Sequence, residues 1–330
     1  MAKKSLLNDT PLEEDKNLEK ALRPKNFEEF PGQEDIKKQL KVFVSAALER
    51  KEPLDHTLLY GPPGLGKTTL ARILADTMEV HFVPTSGPAL RRKGDLAALL
   101  TALKENSILF IDEIHRLPKE LEEYLYSAME DFFIDIVTGE GLGANSIRFN
   151  INPFTLIGAT TRTGMLKAPF RDRFGIIERL DFYDINSLCA IVKRSAKLLN
   201  IYLDSSATRE IAQRSRGTPR VLNRLLRRIR DYAQVAKKTK IDKDLACYAL
   251  ENLGINSMGL TKLDQNFLKV LYVDLGQPVG IETLSSALSE DVQTLEDFYE
   301  PYLLRQGFVR KTPRGRVLTK KGENLISQTI

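Results

Sequence analysis

The chain has 330 residues, 42% of them hydrophobic, so it is long enough for two or three domains with buried cores. Its formal net charge of +5 is too small for this length to identify a nucleic-acid partner. The sequence contains no run of about 18 apolar residues and no apolar segment near its start, which predicts a cytoplasmic protein without a membrane span. Its two cysteines, Cys189 and Cys247, lie far apart without a histidine at metal-ligand spacing, which argues against a disulfide framework or a zinc site.

Residues 57–181 alternate short apolar runs with amphipathic helical stretches. Five of the runs are predicted to be strands: "TLLY", "VHFV", "SILFID", "TLIGAT" and "IIERLD". Runs such as "SILFI" are apolar without alternation, which is typical of strands buried on both faces of a parallel sheet. The pattern predicts an α/β fold, with helices on a parallel sheet, in a large domain at residues 1–182.

Residues 61–68, "GPPGLGKT", match the phosphate-binding pattern G-x-x-x-x-G-K-[ST] between a predicted strand and a predicted helix. The glycines let backbone N–H groups approach phosphates, Lys67 can reach the outer phosphates, and the helix dipole favours an anion. The Thr68 hydroxyl is expected to bind Mg²⁺. The motif predicts a nucleoside triphosphate site.

The segment "ILFIDEIH" places Asp112 and Glu113 at the carboxyl end of a strand, where ligands bind in open α/β sheets. We expect Asp112 to hold the metal through water, and Glu113 to orient or deprotonate the attacking water. Two acids after a strand also fit an ordinary helix start, but the upstream phosphate loop favours hydrolysis. His115 is predicted to be structural, since a lone histidine is usually satisfied by its neighbours.

Residues 132–154 predict a hairpin that interrupts the path from the acidic strand to "TLIGAT". Its "GEGLG" is a weak signal for a second nucleotide site, because no helix follows it. The apolar residues of the hairpin fit core packing and an exposed docking surface equally well.

Three further positions have a functional and an ordinary interpretation. Thr160 and Thr161 end a strand, where a hydroxyl could sense the γ-phosphate or simply cap the strand. In "RGTPR", Thr218 can cap a helix that starts at Pro219, and Arg220 in its first turn opposes the helix dipole. Arg220 therefore indicates a nearby anion, unless it is an ordinary surface arginine.

After Tyr183 the pattern becomes helical, and we predict a small helical domain at residues 183–253 with no strand. A turn-rich linker precedes residues 256–330, where three helices and a hairpin around Pro313 and Gly315 predict a winged helix-turn-helix. Residues 184–255 hold 15 Lys and Arg against 7 Asp and Glu, and residues 305–321 hold seven basic residues and no acid. Positive charge is thus concentrated in the second half of the chain.

These motifs, in this order, resemble those of the AAA+ ATPases, and their detail resembles the bacterial motors of Holliday-junction branch migration in that superfamily. The resemblance covers residues 20–320. It is carried by "LRPKNFEEFPGQ", "LDHTLLYGPPGLGKTTLA", "TSGPAL", "GDLAALLT", "LFIDEIHRL", "PFTLIGATTR", "RDRFGI", "RGTPR", "NRLLRR" and "QGFVRKTPRGR".

The resemblance implies ATP and Mg²⁺ as cofactors. It assigns Thr161 as sensor 1, Arg220 as sensor 2 and Arg173 as the finger that completes the site of a neighbouring subunit. The residues that it places against the nucleotide are Leu22, Arg23, Gly64, Lys67, Thr68, Thr69, Glu130, Asp131, Phe132 and Tyr183.

The resemblance also implies a homohexameric ring that acts on duplex DNA at four-way junctions in recombination and repair. Its expected protein partners are RuvC and the junction-binding RuvA, which would dock on the hairpin at 132–154. The DNA contacts of the wing are expected at Arg310, Lys311, Arg314 and Arg316, through phosphates rather than bases. Lys311 stands where many relatives have arginine, so a bidentate fork is lost there.

Two alternatives share parts of this sequence. A protein-remodelling ATPase usually has an aromatic pore loop before the acidic strand, but "TSGPALRRKGDLAALL" contains no aromatic residue. An ATP-switched DNA-binding protein, such as a replication initiator, would bind nucleotide without acting as a motor. ATP turnover measured with and without DNA separates the motor from the switch.

Overall fold

The computed structural model describes residues 21–138, 145–273 and 276–327. The chain divides into two compact units, the first ending at Phe182 and the second beginning at Tyr183. The predicted "GEGLG" turn, residues 139–143, lies outside the described residues. Within the described ranges, no helix is long and apolar enough to cross a membrane.

A parallel sheet organises the first unit. Its five strands lie in the order β2-β3-β6-β1-β7, and all neighbours are parallel. Every residue of β6 is buried, as are all residues of β3 except Asp112, which confirms the sheet predicted from the apolar runs. The strands of this unit are β1 (Thr57–Tyr60), β2 (Phe82–Ser86), β3 (Ser107–Asp112), β4 (Phe133–Thr138), β5 (Asn145–Asn150), β6 (Phe154–Thr160) and β7 (Ile176–Arg179).

Helices pack against the sheet, and side chains from both form the core of this unit. Leu100 and Leu125 project from two of these helices into one cluster with Leu109 of β3 and Leu156 of β6, and all four side chains are fully buried. Burial on this scale supplies the main favourable free energy of the fold. The helices of this unit are α1 (Glu34–Arg50), α2 (Lys67–Thr77), α3 (Lys93–Thr101), α4 (Lys119–Glu130) and α5 (Ala168–Arg171).

Strands β4 and β5 form an antiparallel hairpin outside the main sheet. Ile134 pairs with Phe149, and Ile136 pairs with Ile147, so these four apolar residues share one face. Ile134 is 1% exposed and packs on the core, whereas Ile147 and Phe149 are 46% and 42% exposed. Ile134 therefore fits the core-packing interpretation, while Ile147 and Phe149 leave an apolar surface exposed on the other strand.

The second unit begins with a helical domain. It comprises α6 (Ile185–Leu198), α7 (Ser205–Arg214), α8 (Pro219–Val235) and α9 (Lys243–Asn252). Aspartates cap three of these helices: Asp184, Asp204 and Asp242 accept hydrogen bonds from backbone N–H groups in the first turn. The pKa values of all three carboxyls are lowered. At Asp184 the largest cause is a hydrogen bond from the Ser187 side chain, and at Asp204 and Asp242 it is the backbone hydrogen bond.

The prediction that this domain contains no strand is wrong. Two-residue strands, β8 (Tyr202–Leu203) and β9 (Lys240–Ile241), pair in parallel beside the helices. Such short pairs lack the periodicity by which strands are recognised in a sequence.

The last domain is a winged helix, as the sequence predicted. Phe267, Leu284, Tyr299 and Leu303 form its buried core. A π-helical turn, Leu295–Tyr299, joins two of its helices. After the wing comes a further helix, Lys320–Ser327, which the sequence pattern did not reveal. The elements are α10 (Lys262–Val273), α11 (Ile281–Leu288), α12 (Val292–Thr294), α13 (Glu300–Arg305), the antiparallel wing strands β10 (Val309–Thr312) and β11 (Gly315–Leu318), and α14 (Lys320–Ser327).

Candidate nucleotide site and nucleic-acid interface

The phosphate loop, residues 61–68, connects the carboxyl end of β1 to the amino end of α2. Gly61 has φ 137°, and a Cβ atom there would lie 2.2 Å from the Leu180 carbonyl oxygen. Only glycine fits this close approach, so the loop begins against the end of β7. The helix α2 begins directly after the loop, and the positive end of its dipole favours an anion at this point.

Lys67 is held over the loop by backbone carbonyls. Its Nζ donates hydrogen bonds to the carbonyl oxygens of Gly61, at 2.8 Å, and Pro62, at 2.9 Å. The side chain is buried, so its charge can act on a phosphate with less screening than in water. Gly64, Thr68 and Thr69 are partly buried in the same loop and in the first turn of α2.

Asp112 ends β3 at the same edge of the sheet as the phosphate loop. Strand β6 lies between β1 and β3, and the three strands run in parallel, so their carboxyl ends point to one edge. Asp112 Oδ1 accepts a hydrogen bond from the Glu113 N–H at 3.0 Å. Glu113 itself adopts a left-handed backbone conformation, with φ 49° and ψ 45°. Both residues are partly exposed.

The donor set fits Mg²⁺. A threonine hydroxyl and a carboxylate are hard oxygen ligands, and Mg²⁺ takes few protein ligands because phosphates and water complete its shell. Thr68 and Asp112 supply such oxygens at one edge of the sheet. In the described ranges, no group of three or more His, Cys, Asp and Glu side chains forms a separate metal site.

His115 is buried and satisfied by its neighbours, as predicted, and it connects the acidic pair to β6, which the sequence did not reveal. Its Nδ1 lies 2.9 Å from Thr160 Oγ1, and its Nε2 lies 3.4 Å from Glu113 Oε2. Thr160 is fully buried and also accepts a hydrogen bond from the Arg162 N–H. Thr161, the predicted sensor, is partly buried and directly follows Thr160. The only signal in the sequence was the position of His115 two residues after Glu113.

Arg173 packs along α4 of its own chain. Its Nη1 donates to the Pro169 carbonyl oxygen at 2.6 Å, and its Nη2 lies 3.1 Å from Glu130 Oε1. The guanidinium carbon lies 4.2 Å from the ring centroid of Tyr126, in a cation–π contact. Glu130 is thus an ion-pair partner of the predicted finger.

The other predicted nucleotide contacts are spread over both units. Leu22 is buried and Arg23 is exposed. Asp131 is exposed, and Phe132 packs edge-on against Phe154 with 6.1 Å between ring centroids. These four residues belong to the first unit.

Tyr183 and Arg220 belong to the second unit. The Tyr183 N–H donates to the Gly217 carbonyl oxygen at 3.0 Å, which ties the start of this unit to the turn before α8. Pro219 begins α8, as predicted, and Arg220 follows it in the first turn. Thr218 occupies the capping position, but its side chain makes no capping hydrogen bond, contrary to the prediction.

The wing presents three cations to solvent: Arg310, Lys311 and Arg314 are exposed. Lys311 Nζ lies 3.6 Å from Glu296 Oε1 and 3.7 Å from Glu300 Oε2, so part of its charge is offset within the domain. The remaining surface of the wing can approach a phosphate backbone.

Arg316 does not share this exposure, contrary to the prediction of a phosphate contact. It is buried, and its guanidinium donates to Glu300 at 2.5 and 3.0 Å and to Glu296 at 3.0 Å. The hydrogen bonds to Glu300 are the largest cause of a raised pKa at Arg316. Its described contacts give it a structural role, fixing β11 to the preceding helices.

Family models match nearly the whole described chain. A model of the Holliday junction DNA helicase RuvB P-loop domain matches residues 22–180. The RuvB AAA lid domain matches residues 183–256, and the RuvB C-terminal winged helix domain matches residues 257–327.

Individual proteins are similar over the same length. The Holliday junction branch migration complex subunit RuvB of Bdellovibrio bacteriovorus is 57% identical over 316 residues, which cover 96% of each chain. The solved structure of the Thermotoga maritima RuvB Holliday junction branch migration motor has a TM-score of 0.84 and 47% identity, covering 93% of this chain and 98% of that one. A mutant of the same Thermotoga protein gives a TM-score of 0.85 at 48% identity.

Proposed function

The chain belongs to the RuvB family of Holliday junction motors, and we propose that it hydrolyses ATP to translocate duplex DNA and so drive branch migration of four-way junctions. The observation that carries this proposal is the common sheet edge of the phosphate loop and the acidic pair. Lys67 lies in the loop, Asp112 ends β3, and Glu113 follows Asp112. This combination suits phosphoryl transfer to water.

Each residue has a chemical task in hydrolysis. Lys67 stabilises the charge that develops on the transferred phosphoryl group. Glu113 orients the attacking water and accepts its proton. Thr68 and Asp112 would hold Mg²⁺, which neutralises phosphate charge when it is bound. Thr161 and Arg220 sense the γ-phosphate, and Arg173 reaches the pocket of a neighbouring subunit.

We further propose that the motor is a cytoplasmic homohexamer that acts with RuvA and RuvC. The exposed Ile147 and Phe149 of the hairpin supply an apolar surface for RuvA. The winged helix contacts DNA through Arg310, Lys311 and Arg314, which face solvent. Phosphate contacts of this kind are independent of sequence, as translocation requires.

A junction-unwinding assay tests the proposal. The wild-type chain with ATP, Mg²⁺ and RuvA should convert a synthetic four-way junction into its duplex products. Lys67→Ala should give no products and no ATP turnover, since Lys67 supplies the positive charge that neutralises the transferred phosphoryl group. Wild-type ATP turnover without any junction conversion would instead indicate an ATPase that acts on another substrate.

A further inference from the structure

The turn between α7 and α8, residues 215–218, contacts the winged helix through the buried Arg216 side chain, and Arg305 Nη1 also donates to the Arg216 carbonyl oxygen at 3.5 Å. Arg216 is 5% exposed, and its Nε donates a hydrogen bond to the Gly259 carbonyl oxygen at 2.9 Å. Its Nη2 donates to the carboxylate of Asp264 in α10. Its guanidinium carbon lies 4.8 Å from the ring centroid of Tyr302 in α13. We call Arg216, Gly259, Asp264 and Tyr302 the clasp.

The residues on the winged-helix side of the clasp are themselves fixed. Asp264 is fully buried, and its Oδ2 also accepts a hydrogen bond from the Thr261 N–H at 2.6 Å. The Tyr302 hydroxyl donates to the Met258 carbonyl oxygen at 2.6 Å. Gly259 has φ 72°, and a Cβ atom there would lie 3.0 Å from the Arg214 carbonyl oxygen. The end of α7, directly before the turn, is therefore in close backbone contact with the segment that leads into α10.

The clasp is better suited to fixing a position than to stabilising the fold. Arg216 Nη1 and Asp264 Oδ1 are buried and have no hydrogen-bond partner in the described structure. A buried ion pair that is incompletely hydrogen-bonded contributes little net stability compared with apolar packing. Its bonds do define where the turn lies relative to α10 and α13.

The same turn leads directly into the predicted nucleotide sensor. Arg216 has a left-handed backbone with φ 60°, and Arg220 follows four residues later in the first turn of α8. The Thr218 N–H donates to the Ser215 carbonyl oxygen at 3.1 Å, which keeps the turn compact. The turn therefore connects the winged helix to the start of α8.

We propose that Arg216 is a positioning residue that couples DNA held by the winged helix to nucleotide sensed by Arg220. This inference rests on the proposed function. Coupling between two ligands is reciprocal, so DNA changes nucleotide affinity by the same factor by which nucleotide changes DNA affinity. The clasp is the contact through which the DNA site and the nucleotide site affect each other's affinity.

The test measures binding of a fluorescent ATP analogue to the full chain with and without a duplex DNA. The ratio of the two affinities is the readout. The principal variant is Arg216→Met with Asp264→Asn, which removes both charges and keeps an oxygen for the Thr261 N–H. Neutral replacement of a buried pair usually preserves folding, which thermal unfolding verifies. Tyr302→Phe is a milder second variant that deletes only the hydroxyl bond.

The matched control is Arg214→Met. Arg214 is equally buried two residues earlier, but it bonds to Glu210, Cys247 and the Ile255 carbonyl oxygen inside the helical domain. It should keep the wild-type ratio.

In the double variant the ratio should fall to within about twofold of one, while each ligand alone binds within about threefold of wild type. Tyr302→Phe should give an intermediate ratio. A folded double variant with the wild-type ratio, or a wild-type ratio of one, would overturn the inference. Failure of the proposed function is distinguishable, since the wild-type chain would then lack junction unwinding.

Discussion

His115 and Thr160 are 45 positions apart in the chain, yet His115 Nδ1 lies 2.9 Å from Thr160 Oγ1 inside the first unit. The direction of the hydrogen bonds follows from the partners. Thr160 Oγ1 accepts from the Arg162 N–H, and a carboxylate can only accept, so His115 Nε2–H faces Glu113. In the tautomer that carries its proton on Nε2, Thr160 donates to Nδ1. The His115 ring thus links the end of β6 to the predicted base.

His115→Ala should lower kcat about 10-fold to 100-fold, the usual effect of removing a group that orients a reacting side chain. KM for ATP should change little, because the phosphate loop is untouched. Steady-state ATPase measurements check both values. His81→Ala, which alters an exposed histidine, is the control. An unchanged kcat in the folded His115 variant would leave the histidine with a packing role only.

Arg173→Ala should be nearly inactive, since a finger arginine contributes roughly 10³-fold to 10⁵-fold to the rate. Glu113→Gln should also be inactive but keeps its finger. If Arg173 acts across the subunit interface, a mixed ring of the two variants contains some complete sites and hydrolyses ATP. Turnover of the co-purified mixture measures this.

Arg171→Ala serves as the control for this experiment, because Arg171 is exposed two residues away. It should hydrolyse ATP at the wild-type rate. A mixed ring as inactive as both parents would show that Arg173 acts within its own chain.

Arg310→Ala with Arg314→Ala should weaken duplex binding on all sequences alike. If each side chain makes one phosphate contact, the slope of log affinity against log salt should decrease by about two units. Binding titrations at several salt concentrations give this slope, and basal ATPase activity should persist. An unaltered slope would move DNA binding to another surface, such as the arginine-rich α8.

Arg316→Ala should lower the stability of the fold. It removes the buried partner of Glu300 and leaves that buried carboxylate with only the exposed Lys311 as a described ion-pair partner. We expect a loss of about 3 kcal/mol in the free energy of unfolding, as for other broken buried pairs. Chemical denaturation measures it. A variant with wild-type stability but weakened DNA binding would restore Arg316 as a direct contact.

Ile147→Ser with Phe149→Ser should abolish stimulation by RuvA and preserve basal ATP hydrolysis, because both side chains are exposed on β5. RuvA binding and RuvA-stimulated turnover are the measurements. Ile134→Ala is the contrasting variant: the residue is buried, and its truncation should cost about 2–5 kcal/mol of stability. Wild-type RuvA affinity in the β5 variant would assign docking to another surface.

Local patterns predicted the sheet, the phosphate loop and the winged helix, because each depends on residues that are close in sequence. Gly61 and Lys67 belong to one motif, and the apolar run of β3 directly indicates its burial. The contact between His115 and Thr160 depends instead on the order and register of β3 and β6, which no local pattern encodes. Arg316 is buried because helices preceding the wing supply Glu296 and Glu300. In the sequence it is indistinguishable from the exposed Arg314.

The hairpin and the candidate finger share one short piece of backbone. Glu130 ends α4 and pairs with Arg173, while Phe132, with φ 52°, starts the hairpin and packs on Phe154. One of the two backbone connections of the hairpin therefore runs through residues 130–132, directly beside the carboxylate that pairs with the arginine. The flexibility of residues 130–132 influences how far a displacement of the hairpin changes the position of the Arg173 guanidinium. A glycine introduced at Asp131 would make this connection more flexible, because glycine restricts the backbone least.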